Sequence, residues 1–580
     1  MALFGRANSN ILSLLNHCYC KKFTMGTSRL KSRSRTSIPS TIMQHKNDKQ
    51  VTESILETEI VKRRNQACRS LLIQVHSSKS YNDLHNYCSR FGHILSMHHY
   101  YTNDQNFILV EFTNMMSINE VMSSASFMNR DIIPIKSSIL WFRKGQIVTP
   151  QKDNQKKASL FVENGCVLPT KKETAKLLYN AKSISGQIII LYETMKLSDL
   201  EVRLRFHTAH YLEQYFSRLF ENIKVLPFGS SINGFGRKRC DLDLVLVPEI
   251  EEENVMNRLV FHSKSTNNSD RHETKEFLGI LANIMQHFIP GILNVRRILE
   301  ARVPIIKFCY DYTRTECDLS ATNMTAIYMT ELLNLYGEMD WRIRPLVIVI
   351  RVWAKNQELT SDIPGHWITN FPLTLLVLFF LQQKKILPSL KILKLYSSRD
   401  DIRCAENGID CTFLRNINKL PPDYKYKTNQ DSLETLLYDF FEYYSTFDFQ
   451  TYGICIREGM QIRKPSHSAL HITNPLETTL NVCKNVSLHE LNRIISKTHD
   501  AIYALETTNK LESNSWGIMT LLKINNGNAE LKKSSTTKGQ TEKIKEYPKD
   551  SYENSYKISD KFEVSETSID ETITKKKETV

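Results

Sequence analysis

The sequence predicts an α+β protein: a mixed-sheet domain followed by a mainly helical one, with a small βαββαβ module near the N-terminus. Three observations predict it. Compact apolar strands alternate with amphipathic helices between Leu71 and Phe142. A second group of strands, ending at Phe228, running from Asp241 to Val247, and paired as Arg302–Tyr310 with Thr315–Ser320, is broken by helical segments. Beyond Leu332 the pattern turns helical, with the apolar run Phe371–Leu381 and the stripe Leu433, Leu436, Leu437, Phe440, Phe441 and Tyr444.

The bulk numbers bound the rest. At 580 residues the chain has room for about three or four domains. Hydrophobic residues at 41% and charged ones at 24% are enough for a real core. No apolar run reaches the roughly 18 residues of a membrane span, so a soluble protein without membrane insertion is expected. The net charge is +14, but residues 1–47 hold eight Lys or Arg and no acid. Beyond Asn525 eleven basic and eleven acidic residues cancel, so residues 48–524 keep only six positive charges. That excess permits a polyanionic partner without demanding one. The twelve cysteines contain no CxxC pair, and the CxC of Cys18 and Cys20 lies in the basic N-terminal segment. Neither a zinc site nor a disulfide framework is supported.

The ends read as an address and a tail. An Arg- and Ser-rich, acid-free start has the composition of an organelle transit peptide, and Ile11, Leu14, Leu15 and Cys18 share one face of a short helix. The alternative is a basic arm that touches RNA. Residues 525–580, rich in Lys, Glu, Ser and Thr, are expected to be disordered.

In the module, the strand Leu71–Val75 precedes a helix over residues 80–90, with Leu84 and Tyr87 inward and Phe91-Gly92 as its C-cap and turn. Strands Ile94–Tyr101 and Asn106–Phe112 follow, then a helix from Ser117 to about Ala125 and a last strand, Ile139–Phe142. This order resembles an RNA-recognition-motif fold, whose central strands stack bases on aromatic side chains. Of that motif's signature the segment Gln105–Phe112 keeps Phe107, Val110 and Phe112. It lacks the basic residue, both small residues and the middle aromatic. Packing or dimerisation therefore competes with RNA reading as the module's role. Residues 147–170 read as a polar linker.

The stretch Val225–Val247 carries the chemistry. A helix over about 202–220 leads into a strand ending at Phe228, and Gly229-Ser230 form a strand-to-helix turn. There the backbone N–H groups and a hydroxyl can cradle a phosphate. After a short helix, Asp241 and Asp243 fall on one face of an apolar strand, with Leu242, Leu244 and Leu246 on the other. Two carboxylates side by side repel, and all-oxygen ligation of Mg²⁺ or Mn²⁺ is the arrangement that tolerates them. A polar insertion (residues 251–275) and a helix (276–288) come next. Asp318, on the second strand of the later pair, supplies a third carboxylate able to neighbour the first two.

The pattern G-S-x(10)-D-x-D, with a later strand Asp after Ala301-Arg-Val-Pro-Ile-Ile-Lys-Phe308, resembles the mixed-sheet nucleotidyltransferase palm of the DNA polymerase β-like superfamily. Within it the chain is similar to the terminal uridylyltransferase and poly(A) polymerase branch, and to its mitochondrial poly(A) polymerases. The resemblance implies transfer of AMP from ATP to RNA 3′ ends by a two-metal mechanism, with Asp241, Asp243 and Asp318 as ligands and catalytic acids. It implies nucleotide contacts from Phe228, Gly229, Ser230, Arg239 and Cys240. Helix 346–355 would add Arg351, where relatives usually have Lys, and Lys355. Asn370 and Phe371 stand in place of a Ser-Ser-Tyr segment. Asn474-Pro475-Leu476-Glu477 matches a nucleotide-recognition segment usually written D/N-P-F-E. The resemblance further implies mitochondrial (matrix) location and a homodimer through the RNA-recognition-motif-like module.

The boundaries then read as leader 1–47, module 62–146, linker 147–170, palm with leading helices 171–330, mainly helical central (PAP-associated) domain 331–524 and tail 525–580. The resemblance to the mitochondrial poly(A) polymerases implies ATP over UTP, supported by Met329 where uridylyltransferase relatives place an Asn and by the short segment Pro465–Thr473 before Asn474. His467 and His471 remain able to swing toward the base. The rivals are a terminal uridylyltransferase, an oligoadenylate synthase on the same palm, and a catalytically silent RNA-binding scaffold.

Overall fold

The computed structural model describes residues 55–524 apart from 103–104, 127–136, 144–157, 163–168, 221, 249–269, 362, 364, 406–407, 422–428 and 508–514. The expectations for the leader, the tail and most of the polar insertion lie outside the described residues.

The N-terminal module begins with a helix, α1 (Ile55–Cys68). It continues as β1 (Ser70–Val75), α2 (Tyr81–Cys88), β2 (Ile94–Thr102), β3 (Gln105–Phe112), α3 (Met115–Ser124) and β4 (Leu140–Trp141). A short β5 (Leu160–Val162) falls in the stretch expected to be linker and pairs in parallel with β2. The sheet order is β4-β1-β3-β2-β5. Gly92 has no left-handed backbone, contrary to a C-cap role. A Cβ there would lie 2.1 Å from Ser117 Oγ, so close approach rather than turn geometry explains it.

Strand periodicity gives this sheet two apolar faces. Leu71, Ile73, Val75, Ile108, Val110 and Phe112 pack under α2 and α3 through Leu84, Cys88 and Val121. The alternate residues Leu72, Tyr100, Phe107 and Leu109 face the other way. They pack on Leu200 and Leu204 of α6 (Asp199–Phe216), the long helix that opens the palm. Ser198 and Glu201 close a capping box at its start, which places it three residues earlier than expected.

The palm sheet holds β6 (Ile223–Phe228), β7 (Leu242–Pro248), β8 (Ile292–Ile298), β9 (Ile305–Tyr310) and β10 (Thr315–Ala321), in the order β6-β7-β10-β9-β8. It is mixed, since β7 and β10 run parallel while the other neighbours are antiparallel. Helix α7 (Asp270–Phe288) starts six residues before its expected position. Leu278, Leu281 and Met285 from α7 join Tyr211, Leu212 and Phe216 from α6 against Leu242, Leu244, Leu246, Phe308 and Leu319 of the sheet.

The helical part comprises α8 (Met324–Met339), α9 (Ile343–Asn356), α10 (Asn370–Gln383), α11 (Leu390–Leu395), α12 (Leu433–Ser445), α13 (Leu488–Glu506) and α14 (Ile518–Leu521). A three-stranded sheet, β11 (Tyr452–Cys455), β12 (Met460–Arg463) and β13 (Ile472–Thr473), is attached to it. The helices that precede the palm in sequence, α4 (Lys171–Tyr179) and α5 (Ile184–Met195), pack in this core. Buried Gln187 fixes α5 there, donating to the Leu178 and Trp516 carbonyls and accepting from the Ile518 N–H. The leading helices thus belong with the central domain's packing rather than the palm's. No described helix is long and apolar enough to cross a membrane.

Candidate active site

Strand β6 ends at Phe228, and the chain turns at once through Gly229 at φ +68° into a single 3₁₀ turn, Gly229–Ser231. The Gly229 N–H donates to Thr330 Oγ1 at 2.9 Å, so α8 holds the turn from behind and that N–H is already used. Ser230 is half-buried beside it. Buried Arg205 of α6 props the loop from beneath. Its Nε donates to Ser231 Oγ at 3.1 Å and its Nη2 to the Cys240 carbonyl at 2.8 Å, while Ser231 Oγ donates to the Asp241 carbonyl. Neither Thr330 nor Arg205 was singled out from the sequence. An Arg inside the apolar stripe of α6 was the available signal.

Cross-strand register sets the carboxylates. Phe228 lies opposite Asp243, Asp243 opposite Asp318, Asp318 opposite Lys307, and Lys307 opposite Arg296. One transverse row therefore crosses all five strands, passing from an aromatic through two acids to two cations. Asp241, just before β7, joins the row from the side. Lys307 Nζ donates to Asp241 Oδ2 at 2.9 Å and to Asp318 Oδ1 at 3.1 Å. Burial, then the carboxylates of Asp318 and Asp241, push the Asp243 carboxyl up to about 7, against the pull of Lys307 and Arg205. Burial also raises Asp318, with Lys307 opposing. Burial works against charge on Lys307, but Asp241 and Asp318 outweigh it and raise its pKa. Among the described residues no three acidic, His or Cys side chains are already closed into a metal-ligating group. The donor set still fits a hard cation, since three carboxylates converge and a cationic ammonium already fills the gap between two of them.

The expected nucleotide contacts form a second layer. Arg351 is half-buried, donating to the Phe235 carbonyl at 2.8 Å and to Thr374 Oγ1 at 3.1 Å rather than to an acid. Burial, reinforced by Arg237, pulls its pKa down to about 10. Lys355 is exposed one turn farther along α9. At the start of α10, Asn370 is exposed, its carbonyl accepting from Thr374, while Phe371 is half-buried against the helical core. Arg239 is exposed in the left-handed region at φ +63°, and half-buried Cys240 accepts from Arg205.

One expectation is corrected here. His471 is buried in the β11–β13 sheet, against Gly453 and beside Thr473, and is not free to swing; His467 remains exposed. Asn474 uses its side-chain oxygen locally, accepting from the Leu476 and Glu477 N–H groups as a turn cap. Glu477 pairs with Arg302, which ties this segment to the palm.

Residues 184–338 match the model of the "Poly(A) RNA polymerase, mitochondrial-like, central palm domain". Over 467 residues the chain is 40% identical to Poly(A) RNA polymerase, mitochondrial, of Drosophila melanogaster, covering 78% of this chain and 76% of that one. The chain belongs to the mitochondrial poly(A) RNA polymerases. The human member is 35% identical over 476 residues, 79% of each chain. Among solved structures, mtPAP in complex with ATPγS superposes with a TM-score of 0.72 at 30% identity, covering 81% of this chain and 99% of that one. Two further family models match parts of the chain: an RL domain over 56–126 and "Cid1 family poly A polymerase" over 432–483.

Proposed function

We propose that this chain is a polynucleotide adenylyltransferase that adds AMP from ATP to RNA 3′-hydroxyl ends in the mitochondrial matrix. The row of acids beside cations across the palm sheet carries the reading. Asp241, Asp243 and Asp318 are the residues that would hold Mg²⁺ or Mn²⁺, which supplies charge neutralisation for the departing pyrophosphate and acidity for the attacking hydroxyl. Asp318, half-buried with a raised pKa, is suited to accept the 3′-hydroxyl proton. Arg351, half-buried without an acid partner in its hydrogen bonds and next to Arg237, supplies positive charge that a triphosphate would satisfy. Ser230, Arg239 and Lys355 extend that contact, and Phe371 offers the base an aromatic face.

The mtPAP structures were obtained with GTP, UTP and CTP as well as ATPγS, so entry of a nucleotide does not by itself select the base. Met329 is buried in the helical core and offers a pyrimidine no hydrogen bond. Extension of a labelled RNA primer with each triphosphate separately is expected to give long tails with ATP and at least about tenfold slower addition with UTP. Equal rates would replace the adenylyl reading with a uridylyl one and leave the nucleotidyl transfer standing.

We also infer that the N-terminal module joins two copies rather than reading RNA. Its base-stacking face is spent, because Phe107 is fully buried, stacked on Tyr100 and edge-on to Tyr312. Its edges are not, since Trp141 on β4 and Phe161 and Val162 on β5 are 50–60% exposed. The double change Phe161→Asp with Val162→Asp is expected to shift the protein from dimer to monomer in light scattering while the circular dichroism stays unchanged. A dimer that persists removes this edge from the account. For location, residues 1–45 fused to a fluorescent passenger are expected to carry it into mitochondria. Diffuse or nuclear signal would assign the segment to RNA contact instead.

A further inference from the structure

We propose that Lys307 is a built-in counter-ion of the catalytic carboxylates, which a divalent cation must displace on entering the site. The inference rests on the reading of Asp241, Asp243 and Asp318 as metal ligands. Lys307 is a lone cation within the apolar strand Ile305–Tyr310, and its neighbours Ile306 and Phe308 point into the palm core. Alternation therefore turns Lys307 to the opposite face, the one that bears Asp318 and Asp243. The Lys307 side chain is four-fifths covered, and its ammonium reaches two carboxylates at once, Asp241 at 2.9 Å and Asp318 at 3.1 Å.

A bracing role does not account for this placement. Strand β10 is already joined to β9 through six paired positions and to β7 through five, so the sheet holds without the bridge. The arrangement instead answers an electrostatic problem particular to a metal-free site. Three carboxylates gather there, Asp318 paired with Asp243 across β10 and β7 and Asp241 two residues before Asp243. An ammonium placed between Asp241 and Asp318 neutralises the pair without a bound ion. The next residue along the row, Arg296, lies 3.7 Å from Glu316, which leaves Lys307 as the cation that makes hydrogen bonds to the two acids.

A divalent ion and the Lys307 ammonium compete for these oxygens, because like charges a few ångströms apart repel. Metal entry is then an exchange: the ion takes the carboxylate oxygens and the Lys307 ammonium withdraws toward solvent on its flexible stem. Lys307 is thus a positioning residue for the acids in the metal-free enzyme, and it sets how tightly they take metal before nucleotide arrives.

The test uses the full chain, stripped with chelator and titrated with Mn²⁺ alone, reading free Mn²⁺ by electron paramagnetic resonance. Lys307→Met and Lys307→Gln are both expected to bind Mn²⁺ roughly tenfold more tightly than the wild type. Both are also expected to melt at a lower temperature in chelator, with the gap closing at saturating Mn²⁺. Unchanged or weaker Mn²⁺ binding by both variants, beside a wild type that binds, overturns the exchange and leaves the metal site standing. A melting deficit that Mn²⁺ fails to close would likewise overturn it, by showing a bracing role. No Mn²⁺ binding by the wild type or by either Lys307 variant removes the metal-site reading and the exchange together.

Discussion

Replacing any one of Asp241, Asp243 or Asp318 with Ala is expected to lower nucleotide addition by at least ~10³-fold, because each removes charge stabilisation that no neighbour can supply. In stability the three variants differ. Asp243 is the deepest, and the carboxylates on both sides oppose its ionisation. Its removal relieves repulsion, and chemical denaturation in chelator should show a gain of about 1–3 kcal/mol. Asp241 and Asp318 each hold one half of the Lys307 bridge. Losing either relieves repulsion but leaves Lys307 with a single partner, so the two effects oppose and the net change should stay within about 1 kcal/mol. A uniform rise across all three would mean that Lys307 contributes nothing to the metal-free site. Near-normal primer extension by any one variant would sink the assignment of that residue.

Much of this site was legible in the sequence because strand geometry is nearly a matter of counting. Apolar residues at 242, 244 and 246 oblige 241 and 243 to share the other face. The turn at Gly229-Ser230 and the later Asp318 follow from the same reading. What escaped depends on register or on long-range packing. Lys307 stood in plain view within Ile-Ile-Lys-Phe, yet only the pairing of β9 with β10 sets it against Asp318. Strand β8 has no alternation to read, being an edge strand exposed along most of its length. Strand β5 is three residues long, too short for any period. Helices α4 and α5 lie beside the palm in sequence, but two of the three partners of Gln187 are Trp516 and Ile518, more than 300 residues away. Phe107 shows a different limit. A strand aromatic that stacks bases and one that packs on a neighbouring domain look the same in sequence, and only its burial against Tyr312 separates them.

Gly229→Ala is expected to be nearly as damaging as loss of a catalytic acid, although it removes no functional group. The position has φ +68°, where a side chain costs about 1–2 kcal/mol. The larger effect is steric. A Cβ on residue 229 would lie 2.3 Å from Asp243 Oδ2 and 3.2 Å from its Cγ. The turn cannot retreat, because Thr330 holds the Gly229 N–H and Arg205 holds Ser231 and Cys240. Asp243 must therefore rotate away, and displacement of a reacting group by about 1 Å costs on the order of 10²-fold in rate. Gly279 provides the control. It lies within α7, and a Cβ added there would meet nothing within 4 Å, so Gly279→Ala should leave activity intact and stabilise the helix by up to ~1 kcal/mol. A double-mutant cycle isolates the contact. If the collision with Asp243 is the cause, Gly229→Ala should cost markedly less stability in an Asp243→Ala background than in the wild type, because the carboxylate it strikes is gone. Equal costs in the two backgrounds would assign the damage to backbone strain alone, and wild-type activity in Gly229→Ala would remove the turn from the catalytic account.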